Sequence, residues 1–320
     1  MVSIAGIRSI AKGVVRTFGS SAVQAPTAAK GASVFAGSLN GASQAAKTVS
    51  EVGKSASGEK TLKTFFQRYF SKFKVGLEKA DVQKMESAEG PQFWEEARSI
   101  LAKKNGIPDE LLPKIEFYAK APNPRQAGFF HFPSYSIGFN EEHIRGLEKS
   151  RLFSLLAHEM QHCEQSLMLL RSKNVAPEAI EYFSREYGQN ITALAINNYK
   201  NLPMEFWEKT VKEKNLGDEV LELAKKIKTA SESEMQELKQ HMINENAAEC
   251  AKGLKKLQEL VVEKMGTLPE NIENLAKVYF RFFKNSTESG SKGTKYWLSI
   301  VEGEAYLRQF GAYREYMKLK

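Results

Sequence analysis

The first sixty residues carry little that can build a core. Ala, Ser, Gly and Thr dominate, with too few large apolar side chains to offset the entropy of ordering the backbone. Within this stretch Ile4, Ile7, Ala11, Val14, Val15 and Phe18 recur at helical spacing beside a stripe of Arg8, Lys12 and Arg16. That pattern predicts a basic amphipathic helix over 1–18 in an otherwise disordered leader, 1–60. From Lys60 to about Met85, Leu62, Phe65, Phe66, Tyr69, Phe70 and Phe73 read as a helix with an aromatic face. Phe93, Trp94, Ala97, Ile100 and Leu101 form the buried side of a second helix over 91–104, stopped by Gly106.

The period then changes. Ile115 to Ala119 reads as a short strand and Pro122 with Pro124 as a turn, while Tyr135, Ile137 and Phe139 alternate with Ser136, Gly138 and Asn140 as in a half-buried strand. Helical spacing returns over 151–172 and continues almost to the end, in helices at 177–200, 204–214, 218–229, 232–265, 269–284 and 294–318. Ser231 with Glu234 has the form of a capping box opening the longest of these. Ser286 to Gly293, rich in Ser, Gly and Thr, reads as a loop. The expected class is α+β, mostly helical, with one small sheet ahead of the helix at 151–172. The expected organisation is a leader, 1–60, and one domain, 61–320, within which 177–284 is a helical insertion or lid.

Charge narrows the function. The chain carries 46 Lys+Arg against 38 Asp+Glu, yet the first 60 residues hold seven of the basic and only two of the acidic ones. The body therefore lacks a concentrated basic face, and no nucleic-acid partner is expected. The acid-poor leader resembles a mitochondrial-type transit peptide, and the same helix at 1–18 can lie on an anionic membrane surface. It lacks the continuous apolar run of a secretory signal, and nowhere does the sequence reach the roughly 18 to 20 apolar residues of a membrane span. With only Cys163 and Cys250, neither a disulfide scaffold nor a cysteine-rich zinc module is available, so any metal rests on His and carboxylates.

The helix at 151–172 supplies them. It contains Leu155-Leu156-Ala157-His158-Glu159-Met160-Gln161-His162-Cys163, an H-E-x-x-H sequence with uncharged neighbours. At i and i+4 the two imidazoles project from one helix face and can share one ion, and zinc suits nitrogen donors at about 2.0 to 2.1 Å. Glu159, one position round the helix, is placed to take a proton from an activated water rather than to ligate. A pair of merely satisfied core histidines is the blander account, and the helical setting of the motif argues against it.

On these residues the sequence resembles the zincin metallopeptidases, in particular the gluzincin-like ones whose third ligand is a glutamate. The resemblance spans roughly 107–172: a short β region, the strand Tyr135–Asn140, a brief polar connection and the motif helix. It implies a zinc cofactor, a peptide or protein substrate, and a cleft lined by the strand at 135–140, which would pair with the extended substrate. The glycine and third histidine of the metzincin pattern do not follow, positions 165 and 168 being Gln and Met. His131, His143 and His241 are the remaining imidazoles, and a glutamate is the expected third ligand.

Two segments offer one. Glu302-Gly303-Glu304-Ala305-Tyr306 resembles the Glu-x-Glu/Asp-Ala-Tyr/Asp segment of several such enzymes and nominates Glu302. Asn244-Glu245-Asn246-Ala247-Ala248-Glu249 resembles a different arrangement and nominates Glu245, with Glu249 behind it. Periodicity favours burial of both and does not settle the choice; the resemblance makes Glu302 the preferred ligand, while Glu245, Glu249 and Glu304 stay open. Glu302 lies 140 residues beyond His162, which requires the intervening helices to return the chain to the site. Tyr306 and Tyr313 share its face, where a hydroxyl can stabilise an oxyanion or simply stack in the core. Cys163 reads as an inert buried thiol. The expected activity is that of a zinc-dependent hydrolase, in the first place a metallopeptidase with Glu159 as general base. The alternative is a non-catalytic helical interaction protein that keeps such a core as scaffold.

Overall fold

The computed structural model describes residues 74–119, 126–289 and 300–320. The leader with its helix at 1–18, the aromatic-faced helix up to residue 73, the Pro122/Pro124 turn and positions 290–299 lie outside the described residues. The architecture is α+β and mostly helical, with a three-stranded sheet. Two units emerge among the described residues, one of 74–175 with 261–320 and one of 176–260.

The helix expected as far as Met85 does not cover 74–78: Gly76 adopts a left-handed φ of 76°, and the amides of Val75, Gly76 and Leu77 donate to the Glu315 carboxylate at 3.0, 2.7 and 2.9 Å. A new helix, α1 (Lys79–Ser87), then starts behind a capping box in which the Glu78 amide donates to Asp81 Oδ2 at 2.9 Å. Helix α2 (Gly90–Asn105) begins with Pro91 in its first turn and ends on Gly106 at φ 66°, and it buries Phe93, Trp94, Ala97, Ile100 and Leu101.

The strands are β1 (Lys114–Tyr118), β2 (Gly128–His131) and β3 (Ser136–Asn140), in the order β1-β3-β2, with β3 parallel to β1 and antiparallel to β2. Strand β3 is therefore central and buried along its whole length, not the half-buried strand that its alternation suggested nor the cleft-lining one that the resemblance implied. The reason lies in β2, whose Gly-Phe-Phe-His sequence has no alternation to announce a strand. The polar positions of β3 are small, and the Phe129 ring lies across Gly138 so closely that a Cβ there would meet it at 2.4 Å. On the other face Trp94 packs against Phe139, ring centroids 4.5 Å apart.

Asn140 ends β3 and caps the short α3 (Glu141–Ile144) by accepting from the Glu142 amide at 3.2 Å. Then comes α4 (Lys149–Arg171), buried nearly all round and so the central helix of the unit. Its C-terminal end is pinned. Arg171 donates to the carbonyls of Met265 and Gly266, both at 2.9 Å, and Glu273 accepts from Ser172 Oγ, the Lys173 amide and Asn174 Nδ2 at 2.5, 3.0 and 3.3 Å.

Glu273 belongs to α9 (Glu270–Ser289), which packs on α4; this helix continues through Ser286–Ser289, where a loop was expected. The last helix, α10 (Ile300–Leu319), makes the most extensive contact with α4 of any described element.

The second unit is wholly helical: α5 (Ala176–Asn201), α6 (Met204–Lys214), α7 (Glu219–Thr229) and α8 (Glu232–Met265), the last counted here as far as Leu260. Its core gathers Tyr199, Trp207, Val220, Leu223, Ile227 and Met242, with Tyr199 stacked on Trp207 at 4.3 Å. Helices α5 and α8 approach at Gly188, where a Cβ would meet the Ile243 carbonyl at 2.6 Å. The expected capping box is present, the Ser231 amide donating to Glu234 Oε2 at 2.8 Å and the Glu234 amide to Ser231 Oγ at 3.4 Å. Among the described residues no helix is long and apolar enough to cross a membrane.

Candidate functional site

Because α4 is enclosed by the sheet, α2, α9 and α10, its middle turns hold polar side chains away from water. His158, Glu159 and His162 are buried there, and α10 brings Glu302, itself only 7% exposed, to the same point. His158 Nε2 and His162 Nε2 are 3.3 Å apart, Glu302 Oε2 is 3.5 Å from the first and Glu302 Oε1 3.4 Å from the second. Among the described residues these three form one group of ligand-competent atoms within 4.8 Å of each other.

Four donors arranged tetrahedrally at about 2.0 to 2.1 Å from an ion stand about 3.3 to 3.4 Å from one another. The 3.3 Å between the two imidazole nitrogens matches such an edge, each imidazole has one Glu302 carboxylate oxygen within 3.5 Å, and two nitrogens with one carboxylate form a donor set of the kind zinc accepts in sites that keep a position for water. A proton shared between His158 and Glu302 is the other cation that can occupy this contact.

Burial and the neighbouring charges shift the groups of the cluster in different directions. Burial alone would push the His158 imidazole down, but Glu302, together with the charge of Glu159, holds it above its usual value. Burial and the neighbouring charge of His158 lower His162 against the pull of Glu302. The Glu159 carboxyl is pushed up to about 7, by burial first and by the charge of Glu302, against the opposing influence of His158.

Glu159 also faces the sheet. The Asn140 amide donates to the Ala127 carbonyl at 3.0 Å, so antiparallel alternation turns the backbone groups of Gly128 and Phe130 away from β3. The Phe130 N–H reaches the Glu159 carboxylate, and a Cβ at Gly128 would stand 3.1 Å from Glu159 Oε1. The strand beside the motif helix is thus β2, not the strand at 135–140 that the resemblance pointed to.

The walls are aromatic. The Tyr306 ring meets His158 edge-on at 4.7 Å, and Phe283 stands 6.4 Å from the His162 ring. Burial, then the charges of Glu302 and Glu159, hold the Tyr306 hydroxyl in its protonated form well above its usual range. Cys163 is fully buried with its thiol 3.2 Å from Tyr135 Oη, and burial pushes its pKa up to about 12, away from thiolate chemistry.

The other nominated glutamates lie elsewhere. Glu245 pairs with His241 one turn away, 3.3 Å on its own helix, and with Glu249 belongs to the helical unit 176–260. Glu304 accepts from Gln165 Nε2 at 3.1 Å and from Tyr279 Oη at 2.7 Å, outside the group formed by Glu302 and the two imidazoles. Sequence reasoning overlooked two contributors, the Phe130 amide and Gln165. Only Gln165 left a signal, being three residues beyond His162 and so on the same helix face. No family model, no curated protein and no solved structure matches this chain.

Proposed function

We propose that the chain is a zinc-dependent hydrolase, and that its substrates are peptides or proteins. His158, His162 and Glu302 would hold the ion, and zinc bound there supplies Lewis acidity toward a water and a carbonyl oxygen. The observation that carries the reading is the convergence of three buried ligand side chains, with the imidazole nitrogens 3.3 Å apart and a Glu302 oxygen 3.5 and 3.4 Å from each in turn. The rest of the mechanism belongs to the chain. Glu159, beside the ligands and held by the Phe130 amide, accepts the proton of the attacking water at its carboxylate and returns it to the leaving amine. Tyr306 donates its hydroxyl hydrogen to the oxyanion that develops at the attacked carbonyl. Beyond the Phe130 N–H taken by Glu159, the remaining outward-facing backbone groups of β2 provide a short edge along which an extended peptide can lie.

The test is metal content with turnover on a mixed peptide library. The wild type should carry close to one zinc per chain, and Glu159→Gln should keep that zinc while losing cleavage by at least about 100-fold. A zinc-free wild type would leave the His158–Glu302 contact as a shared proton and favour a non-catalytic scaffold role.

A further inference from the structure

Gln165 is fully buried and its amide touches both helices that build the site. Its Oε1 lies 2.9 Å from His162 Nδ1. Its Nε2 donates to the Val301 carbonyl at 3.0 Å and to Glu304 Oε2 at 3.1 Å, and Glu304 Oε2 also accepts from Tyr279 Oη at 2.7 Å. A backbone carbonyl can only accept, so the Nε2 side of the amide must face Val301; the flipped amide would set two acceptors against each other. The oxygen is then obliged to face His162, and an amide oxygen also only accepts.

We infer that Gln165 is a positioning residue that fixes His162 as the Nδ1–H tautomer, leaves its bare Nε2 as an acceptor beside His158 Nε2, 3.3 Å away, and does so because Val301 and Glu304 on α10 orient the amide. The consequence for metal retention rests on the function proposed above; the tautomer does not. One side chain thereby aligns an imidazole on α4 and ties that helix to the backbone immediately preceding Glu302. Partners of this kind ordinarily change metal affinity by about 10- to 100-fold when removed.

The experiment uses the full chain, with and without zinc. Long-range proton–nitrogen NMR of the imidazoles reads the tautomer of His162, and competition with a chelator reads zinc affinity. The wild type should show His162 as Nδ1–H even without metal. Gln165→Met, similar in size and unable to accept that proton, should lose this signature and bind zinc about 10- to 100-fold more weakly. An Nε2–H tautomer in the wild type would overturn the inference, as would a Gln165→Met protein with wild-type tautomer and zinc affinity. A wild type that shows the Nδ1–H tautomer but binds no zinc would instead remove the metal reading and leave the tautomer assignment standing.

Discussion

Replacing Glu302 by Gln separates the two cations that fit the site. The substitution preserves shape in a position that is 7% exposed, so packing changes little, while the only carboxylate in the group is removed. Zinc stabilises the native state by RT ln(1 + [Zn]/Kd), about 2.7 kcal/mol when free zinc is 100 times Kd. In a protein of this size 1 kcal/mol moves Tm by about 2 to 4 °C, which makes the expected wild-type shift about 5 to 11 °C. An outer partner alone is worth up to about 100-fold in affinity, so loss of a direct ligand should weaken binding by at least that factor. At the same zinc concentration Glu302→Gln would then sit near its own Kd and gain only about 0.4 kcal/mol, a shift of about 1 °C. Scanning calorimetry of each protein with and without zinc gives the shift as an internal difference, which cancels any effect of the substitution on the metal-free fold. Glu245→Gln, on the other unit, serves as control and should retain the wild-type shift. Equal shifts in the wild type and Glu302→Gln would refute the assignment of Glu302, and loss of the shift in Glu245→Gln alone would transfer the role there.

Other expectations follow from the same geometry. Tyr306→Phe should keep zinc and lower kcat by about 100-fold with little change in KM, read by steady-state kinetics; unchanged kcat would return Tyr306 to a purely packing role. Gly128→Ala places a Cβ 2.9 Å from the Phe139 ring and 3.1 Å from Glu159 Oε1, so urea unfolding should show a loss of about 1 to 3 kcal/mol together with reduced turnover. Hydrogen bonding by Ser172, Lys173 and Asn174 outweighs burial and holds the Glu273 carboxyl below its ordinary 4.5. A group lowered in the folded state stabilises above its unfolded pKa and loses that contribution as pH falls through the folded value. Glu273→Gln should accordingly trail the wild type in stability above pH 4.5, with a gap that closes on further acidification; a gap constant with pH would mean that the charge contributes nothing.

The regular helices were legible because their signal is local. Apolar spacing over 204–214 and 232–265 reproduces α6 and α8, and the Ser231–Glu234 cap marks the start of α8, since three and four residues along the chain are neighbours on a helix whatever surrounds it. The same locality reveals His158 and His162, whose shared face is a property of helical geometry alone. Failures cluster where a distant partner decides. The non-helical stretch around Gly76 needs the Glu315 carboxylate, 239 positions away, to collect three amides. The centrality of β3 needs β2, a strand with no periodic signal of its own.

By itself, then, the sequence determined the helical class, the placement of two imidazoles and an acid on one buried helix, and the restriction of any metal site to His and carboxylate donors. Only the tertiary structure decided which glutamate meets them, because Glu302, Glu245, Glu249 and Glu304 all lie on helices with apolar faces and periodicity ranks them alike. The packing of α10 along α4 brings Glu302 within 3.5 Å of both imidazoles and places Glu304 two residues on against Gln165 and Tyr279. The physical reason is one of range. Helical neighbours are set by backbone hydrogen bonds within a turn, whereas the contact between residues 162 and 302 exists only once the cores that hold both helices have formed.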